Sequence, residues 1–307
     1  MLAICKGKSQ VLFVSVSNFY IKFLYSYLVI RPFDPWKSKM CTCPPKFSLS
    51  PYTGCAHSCL YCYITSYIPD AFRPRLKRDV INHVKKDLRK IPSTSLISIA
   101  NSSDPYQPLE LKHQIMKRLL PILKKHRVLI ITKSDIVKRD SSLLKEIGAS
   151  VSITITTDDD DLAKVLEPGA PPPRKRIKAL KRLVDKGIRV SARVDPIIPF
   201  LNEDVNHLIE ELSVVGVSHV ISSTYKLRYD SWNRLKAVFP ECERMSTLYF
   251  KGGEWIGGSL YLPAEIRRKI LLKIKQYAEE KGMTFSCCRE GLPWTSPSCD
   301  GSHLIEK

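Results

Sequence analysis

Six short runs rich in β-branched residues recur along this chain, and each ends in a cluster of polar residues before an amphipathic stretch begins. The runs cover residues 47–50, 96–100, 128–132, 150–156, 189–194 and 219–222. Helical patterns lie between them, at 79–90, 109–125, 141–147, 174–186 and 203–214. Gly148, Gly187 and Gly216 follow three of these, where a left-handed residue commonly ends a helix. A further helix is expected at 263–281, with Pro263 at its start and Gly282 past its end. Strand and helix in alternation predict an α/β fold with a parallel sheet, here a partial barrel of six units within one main domain. In such barrels the working face gathers at the C-terminal ends of the strands. The polar residues Ser102, Ser103, Asp104, Lys133, Asp158, Asp195 and Lys226 all fall there.

The loop after the first run carries Cys55, Cys59 and Cys62, a C-x3-C-x2-C spacing. Three thiolates on one tight loop can reach three corners of a 4Fe–4S cubane, which normally takes four, so one iron would stay open. Zinc is the alternative. It needs a fourth ligand, for which His57 can be argued, although no second C-x2-C pair stands beside the loop.

That loop, with Tyr61 just before its last cysteine, resembles the signature of the radical S-adenosylmethionine (SAM) superfamily. The wider run Ser50-Pro51-Tyr52-Thr53-Gly54-Cys55 through Tyr63 resembles the branch of spore photoproduct lyase and the DNA repair photolyase-like proteins. Ser102-Ser103-Asp104-Pro105-Tyr106-Gln107-Pro108 and Arg193-Val194-Asp195-Pro196-Ile197-Ile198-Pro199 are similar to further motifs of that branch, and the likeness runs from about Arg31 to the C-terminus. It implies a (β/α)6 partial barrel of the radical SAM type. It also implies a 4Fe–4S cluster on Cys55, Cys59 and Cys62, with SAM on the open iron and cleaved reductively to a 5′-deoxyadenosyl radical. An electron donor such as ferredoxin or flavodoxin is then a partner. SAM contacts are expected at Tyr61 for adenine and at Ser102, Ser103 and Asp104 for the ammonium group. Lys133, Ser152, Thr154 and Arg193 are the expected contacts for carboxylate and ribose, pointing into the barrel if strand alternation holds. The chain departs from the common Gly-Gly-Glu form after the second strand. Plainer roles compete at each position: Asp104 and Asp195 precede prolines and suit turns, the hydroxyls can line a polar interior, and Tyr61 can anchor the loop.

Other cysteines lie at Cys41 and Cys43 and, far downstream, at Cys287, Cys288 and Cys299. If the two ends of the chain meet, Cys41, Cys43, Cys288 and Cys299 can form a second metal site. Cys288 or Cys299 can instead donate a hydrogen atom to a product radical, a role cysteine has in the lyase that the chain resembles. Buried apolar packing is the third role open to them, and the one expected of Cys242.

Lys and Arg number 49 against 30 Asp and Glu, a net charge of +19, which favours polyanionic partners, above all nucleic acid. The basic residues of 73–90 and 174–182 can equally be solvated helix faces. Ten cysteines, three of them suited to a cluster, point to a reducing cytoplasm. Residues 11–30 are mostly apolar and near the length of a membrane span, but Lys22 and several hydroxyls interrupt them. They are read as part of a segment, 1–30, that precedes the family-like text and is either poorly structured or the result of a start placed too early, so no membrane partner is expected. A core barrel over 31–226 and a C-terminal extension over 227–307, ending in a Cys-rich tail, complete the expected organisation. The expected function is radical SAM chemistry on nucleic acid, as lyase-like DNA repair or RNA modification. The alternatives are the same chemistry on a small molecule or peptide, or a non-catalytic iron–sulfur or zinc protein that binds nucleic acid.

Overall fold

A computed structural model describes residues 29–33, 38–295 and 297–306. Its strands, in chain order, are β1 (Ile30–Pro32), β2 (Phe47–Leu49), β3 (Tyr52–Thr53), β4 (Arg75–Leu76), β5 (Leu96–Ile99), β6 (Arg127–Thr132), β7 (Ser150–Thr154), β8 (Val190–Ile197), β9 (His219–Thr224), β10 (Glu254–Ile256), β11 (Ser259–Tyr261) and β12 (Thr284–Cys287). The six expected runs are β2 and β5 to β9, which lie side by side in sequence order and pair in parallel. This is the expected partial barrel of six parallel strands. Each edge gains a strand that the β-branched pattern did not announce. β1 adds antiparallel to β2, and β12 adds parallel to β9.

Strand alternation divides the sheet into two faces. Ile97, Ile99, Val128, Ile130, Val151, Ile153, Val190, Ala192, Val194 and Val220 belong to one apolar core with the surrounding helices. The opposite face is largely polar: the register sets Ser48 beside Ser98, Ser152 beside Ser191, Thr154 beside Arg193, and Ser191 beside His219. Covering helices include Val80–Leu88, Pro173–Asp185, Asn206–Val214 and Ala264–Glu280. Gly148, Gly187, Gly216 and Gly282 follow helices with positive φ, as C-terminal caps should.

Several expectations need correction. The pattern at 109–125 is not one helix: Gln114 has φ +47° between helices Leu109–His113 and Ile115–Leu119, and Pro121 sits in a 3-10 turn beyond them. Buried Glu110 holds this break by accepting from the Ile115 and Met116 amides, both at 3.0 Å. The fourth run ends at Thr154, and an unexpected helix, Asp160–Leu166, follows with Asp159 capping the amides of Asp161 and Leu162. Beyond β9 the chain forms helices Tyr229–Lys236 and Cys242–Gly252 and the β10–β11 hairpin.

The tail closes part of the polar face. Ile305 packs with Leu96 and Leu129, His303 meets His219 edge-on at 4.7 Å between centroids, and a Cβ on Gly301 would lie 2.7 Å from Ser191 Oγ. The apolar run at 11–30 lies, except for its last two residues, outside the described residues. Among the described residues no helix is long and apolar enough to cross a membrane.

Candidate functional site

The three-cysteine loop leaves the C-terminal end of β2. Gly54 turns it with φ +76°, and a Cβ there would lie 2.8 Å from the Ala71 carbonyl oxygen, so the turn needs glycine. The loop is then fastened from several sides. The Cys55 amide donates to Ala71 O at 2.8 Å and the Leu60 amide to Leu166 O at 2.8 Å. Gln107, fully buried, receives the Ala56 amide on Oε1 at 2.9 Å and donates Nε2 to Gly54 O at 3.2 Å. Arg234 reaches across from helix Tyr229–Lys236 to donate to Leu60 O at 2.9 Å and Cys62 O at 2.8 Å. Gly169 crosses the loop so closely that a Cβ would fall 2.0 Å from Ala56 O. Neither Gln107 nor Arg234 was among the site residues expected from sequence.

Cys59 is buried, and Cys55 and Cys62 are partly so. Burial pushes all three thiols up, Cys55 to about 12, and the carboxylates of Asp104 and Glu167, followed by neighbouring sulfurs, raise Cys55 and Cys59 further. Iron bound at the loop would supply the opposing charge that turns such thiols into thiolates. Among the described residues no three His, Cys, Asp or Glu side chains are arranged to hold a single metal ion. A cubane asks something different, because each thiolate has its own iron and the three need not converge on one point. The donor set of the loop, three thiols at separate positions, suits such a cluster, and His57 Nε2 lies buried beside them without a hydrogen-bond partner in the protein. Its imidazole is 1% exposed, and Nδ1 faces Asp104 Oδ2 at 3.5 Å. Burial pushes its pKa down, so the ring stays neutral.

Asp104 sits in the turn that follows β5 as an acceptor. Its Oδ1 receives the Tyr106 amide at 2.8 Å and Thr132 Oγ1 at 2.7 Å, and its Oδ2 receives the Lys133 amide at 2.6 Å. Ser102 stands half-buried on the same turn. Ser103 Oγ and, on the polar barrel face, Ser152 Oγ are buried without a hydrogen-bond partner in the protein. Such orphaned hydroxyls suit a polar ligand. Thr154 and Arg193 are register neighbours on β7 and β8. Arg193 pairs with Asp195 at 3.2 Å. Burial alone would raise the Asp195 carboxyl, but Arg193 and then Lys226 outweigh it and hold the group below the usual range.

Tyr61 is anchored rather than loose. Its hydroxyl donates to Glu167, which also accepts from Thr156 Oγ1 at 2.6 Å and pairs with Arg176 at 2.5 Å. Lys133 Nζ lies 3.8 Å from Glu167 and 5.5 Å from the centre of the Tyr61 ring. Although burial opposes ionisation of Glu167, Arg176 and Lys133 bring its pKa down to about 2. Arg176 therefore belongs to the interior and not to the solvated basic face that its run, 174–182, suggested.

The structure also brings together Cys41, Cys43, Cys288 and Cys299, the four residues expected to form a second metal site, close enough to influence one another's ionisation. Of the two candidate hydrogen donors, Cys288 stands beside Arg193, whereas Cys299 lies against Cys43. Cys242 is buried in a small apolar core with Met245, Trp232 and Tyr249.

A family model described as the Radical SAM superfamily matches residues 49–212, more than half of the chain. An uncharacterized protein of Methanocaldococcus jannaschii is 31% identical over 186 residues, covering 54% of this chain and 65% of that protein. The radical SAM Nalpha-GlyT isomerase of Pseudomonas phage M6 is 27% identical over 269 residues, covering 80% of this chain and 54% of the isomerase. The chain thus spans less than two thirds of the length of these relatives. Among solved structures, spore photoproduct lyase complexed with dinucleoside spore photoproduct shares the fold, with a TM-score of 0.67 and 15% identity over 85% of this chain and 79% of that one. A mutant of that lyase with bound AdoMet and the same dinucleoside matches at a TM-score of 0.66 and 16% identity, over 82% of this chain and 79% of that one.

Proposed function

The chain belongs to the Radical SAM superfamily, and from that membership we propose that it is an enzyme that cleaves SAM reductively at a 4Fe–4S cluster and acts on nucleic acid. The observation that carries the first part is the loop itself, three sheltered thiols at the C-terminal edge of a parallel barrel, fixed by Gln107 and Arg234. Cys55, Cys59 and Cys62 would hold the cluster. When bound, such a cluster would supply the one-electron reduction of the SAM sulfonium that yields a 5′-deoxyadenosyl radical.

The chain's own residues bind, orient and shelter. Ser103 and Ser152 offer hydroxyls that lack protein partners, and Arg193 and Lys133 bring positive charge to the mouth, suited to a carboxylate. Tyr61, locked by Glu167, presents a fixed aromatic surface next to Cys62, suited to adenine. Asp104 acts at one remove, holding the turn that carries Ser102 and Ser103 against β6.

For the substrate, three observations favour nucleic acid over a small molecule or peptide. Net charge is +19. Tyr229, Phe250 and Trp255 are exposed and form one aromatic group, with Tyr229 and Trp255 5.6 Å apart between ring centres. Helix Tyr229–Lys236 ties that group to the cluster loop through Arg234, and Arg228, just before the helix, donates to Ser66 Oγ beyond the loop at 2.9 Å. Exposed aromatics beside positive charge suit stacked, unpaired bases. The lyase of the same fold is complexed with a dinucleoside.

Anaerobic reconstitution, reduction with dithionite and chromatography for 5′-deoxyadenosine test the enzyme. Formation that depends on cluster and SAM supports it, and none in protein with a full cluster refutes it. Titration with a single-stranded oligonucleotide tests the substrate class. Binding should weaken steeply with salt, and salt-independent or absent binding would favour a small-molecule substrate.

A further inference from the structure

The segment after β1 meets the tail at a second group of sulfurs. Cys299 Sγ donates to Cys43 Sγ at 3.3 Å. Lys46 Nζ lies 3.5 Å from the same sulfur and is itself held by Asp300 Oδ2 at 2.6 Å, an ion pair buried on both sides. One sulfur thus collects a thiol donor and an ammonium group, with the Cys41 thiol nearby. The Cys299 hydrogen bond, then the neighbouring Cys41 thiol and Lys46, pull the Cys43 thiol down against the effect of burial. The charge on Cys43 raises Cys299 in return.

The pattern places a fixed cation, Lys46, beside the sulfur that a metal would have to share, and among the described residues no three His, Cys, Asp or Glu side chains are arranged to hold a single metal ion. It matches instead the division of labour in thiol–disulfide exchange, where a stabilised thiolate attacks and a neighbouring thiol resolves. Exposure divides the roles in the same way, since Cys43 is half-buried while Cys299 is 2% exposed.

We propose that Cys43 and Cys299 form a redox-active dithiol that exchanges with low-molecular-weight disulfides, with Cys43 as the attacking and Cys299 as the resolving residue. The Cys43 thiolate attacks one sulfur of a disulfide RS–SR, whose S–S bond breaks as RS⁻ leaves, giving a mixed disulfide on Cys43. Cys299 then passes its proton to that RS⁻, and its sulfur displaces the second RS⁻, which is protonated from water. The two cysteines lose two electrons and RS–SR gains them as two thiols. The product bond would tie the segment entering β2 to the tail that closes the polar face of the barrel. Reversible pairs of this kind are the form in which disulfides occur in reducing compartments.

The test uses full-length, cluster-loaded protein under anaerobic conditions, equilibrated with mixtures of reduced and oxidised glutathione, quenched by alkylation and mapped by peptide mass spectrometry. Wild type should show a Cys43–Cys299 disulfide with a single midpoint. Cys299→Ser should stop at glutathione attached to Cys43, and Cys43→Ser should leave Cys299 free. Free thiols at both positions across the whole range in wild type would overturn the proposal, as would a bond that uses Cys41 or Cys288 in place of Cys299. Zinc or extra iron that is lost specifically in Cys43→Ser would also overturn it, in favour of a metal site. None of these readouts depends on SAM cleavage, so they stand or fall apart from the proposed function.

Discussion

The Arg234 guanidinium donates to the carbonyl oxygen of Cys62 at 2.8 Å, so the last cysteine of the loop is held by a side chain 172 residues downstream. A second bond to Leu60 O at 2.9 Å and a third to Thr65 Oγ1 at 3.0 Å make Arg234 a fork spread over the loop's exit. Lysine keeps the charge but cannot reproduce a planar fork. Arg234→Lys is expected to cost about 2 kcal/mol of stability and to lower iron retention after reconstitution. Thermal unfolding and iron analysis check this, and full retention of both would show the fork to be incidental.

Gln107 does the same at the loop's entrance. Its removal in Gln107→Ala leaves the Ala56 amide and the Gly54 carbonyl without that partner, a loss of about 2 kcal/mol for buried groups. Iron uptake is expected to fall with stability, measured on the same reconstituted samples. Unchanged uptake would mean that the loop keeps its shape without this brace.

Glu167 gives a pH signature. Its folded pKa of about 2 lies below the ordinary 4.5, so its contribution is present in full above about pH 4.5 and is lost as pH falls towards 2. Glu167→Gln leaves Arg176 buried without its counter-charge and is expected to cost about 3 kcal/mol near neutral pH. The variant should then lose less stability than wild type between pH 4.5 and 2. Denaturant melts across that window decide it, and parallel curves for the two proteins would contradict the assignment.

The aromatic group beside the loop predicts a separation of binding from chemistry. Trp255→Ala and Tyr229→Ala should each weaken single-stranded oligonucleotide binding by about 1–3 kcal/mol, while formation of 5′-deoxyadenosine in the absence of nucleic acid stays near wild type. Fluorescence anisotropy with the same oligonucleotide checks the first part. Equal loss of both activities would point to a folding defect instead.

Much of this architecture is readable in the chain. The six strands declare themselves because β-branched residues alternate with polar ones, and Gly148, Gly187 and Gly216 mark where helices must stop. The three cysteines need no tertiary information, since their chemistry is local. What surrounds them does. Gln107 lies in the run Ser102 to Pro108, and only the fold reveals that its amide spans Gly54 and Ala56. Glu167 and Arg176 look like ordinary helix-flanking charges until both are seen buried with Tyr61. Lys46 and Asp300, 254 positions apart, have no sequence signal that pairs them. Strand β12 carries no such signal, because Thr284–Cys287 is short and has one large apolar residue.

The central claim is that Cys55, Cys59 and Cys62 hold a cubane with one iron open to SAM. Electron paramagnetic resonance of the reduced, anaerobically reconstituted protein, recorded with and without SAM, tests it most directly. The account predicts a 4Fe–4S signal that changes when SAM is added and disappears when any one of the three cysteines is replaced by alanine. A signal indifferent to SAM, or a loop that holds zinc and gives no signal, would contradict it.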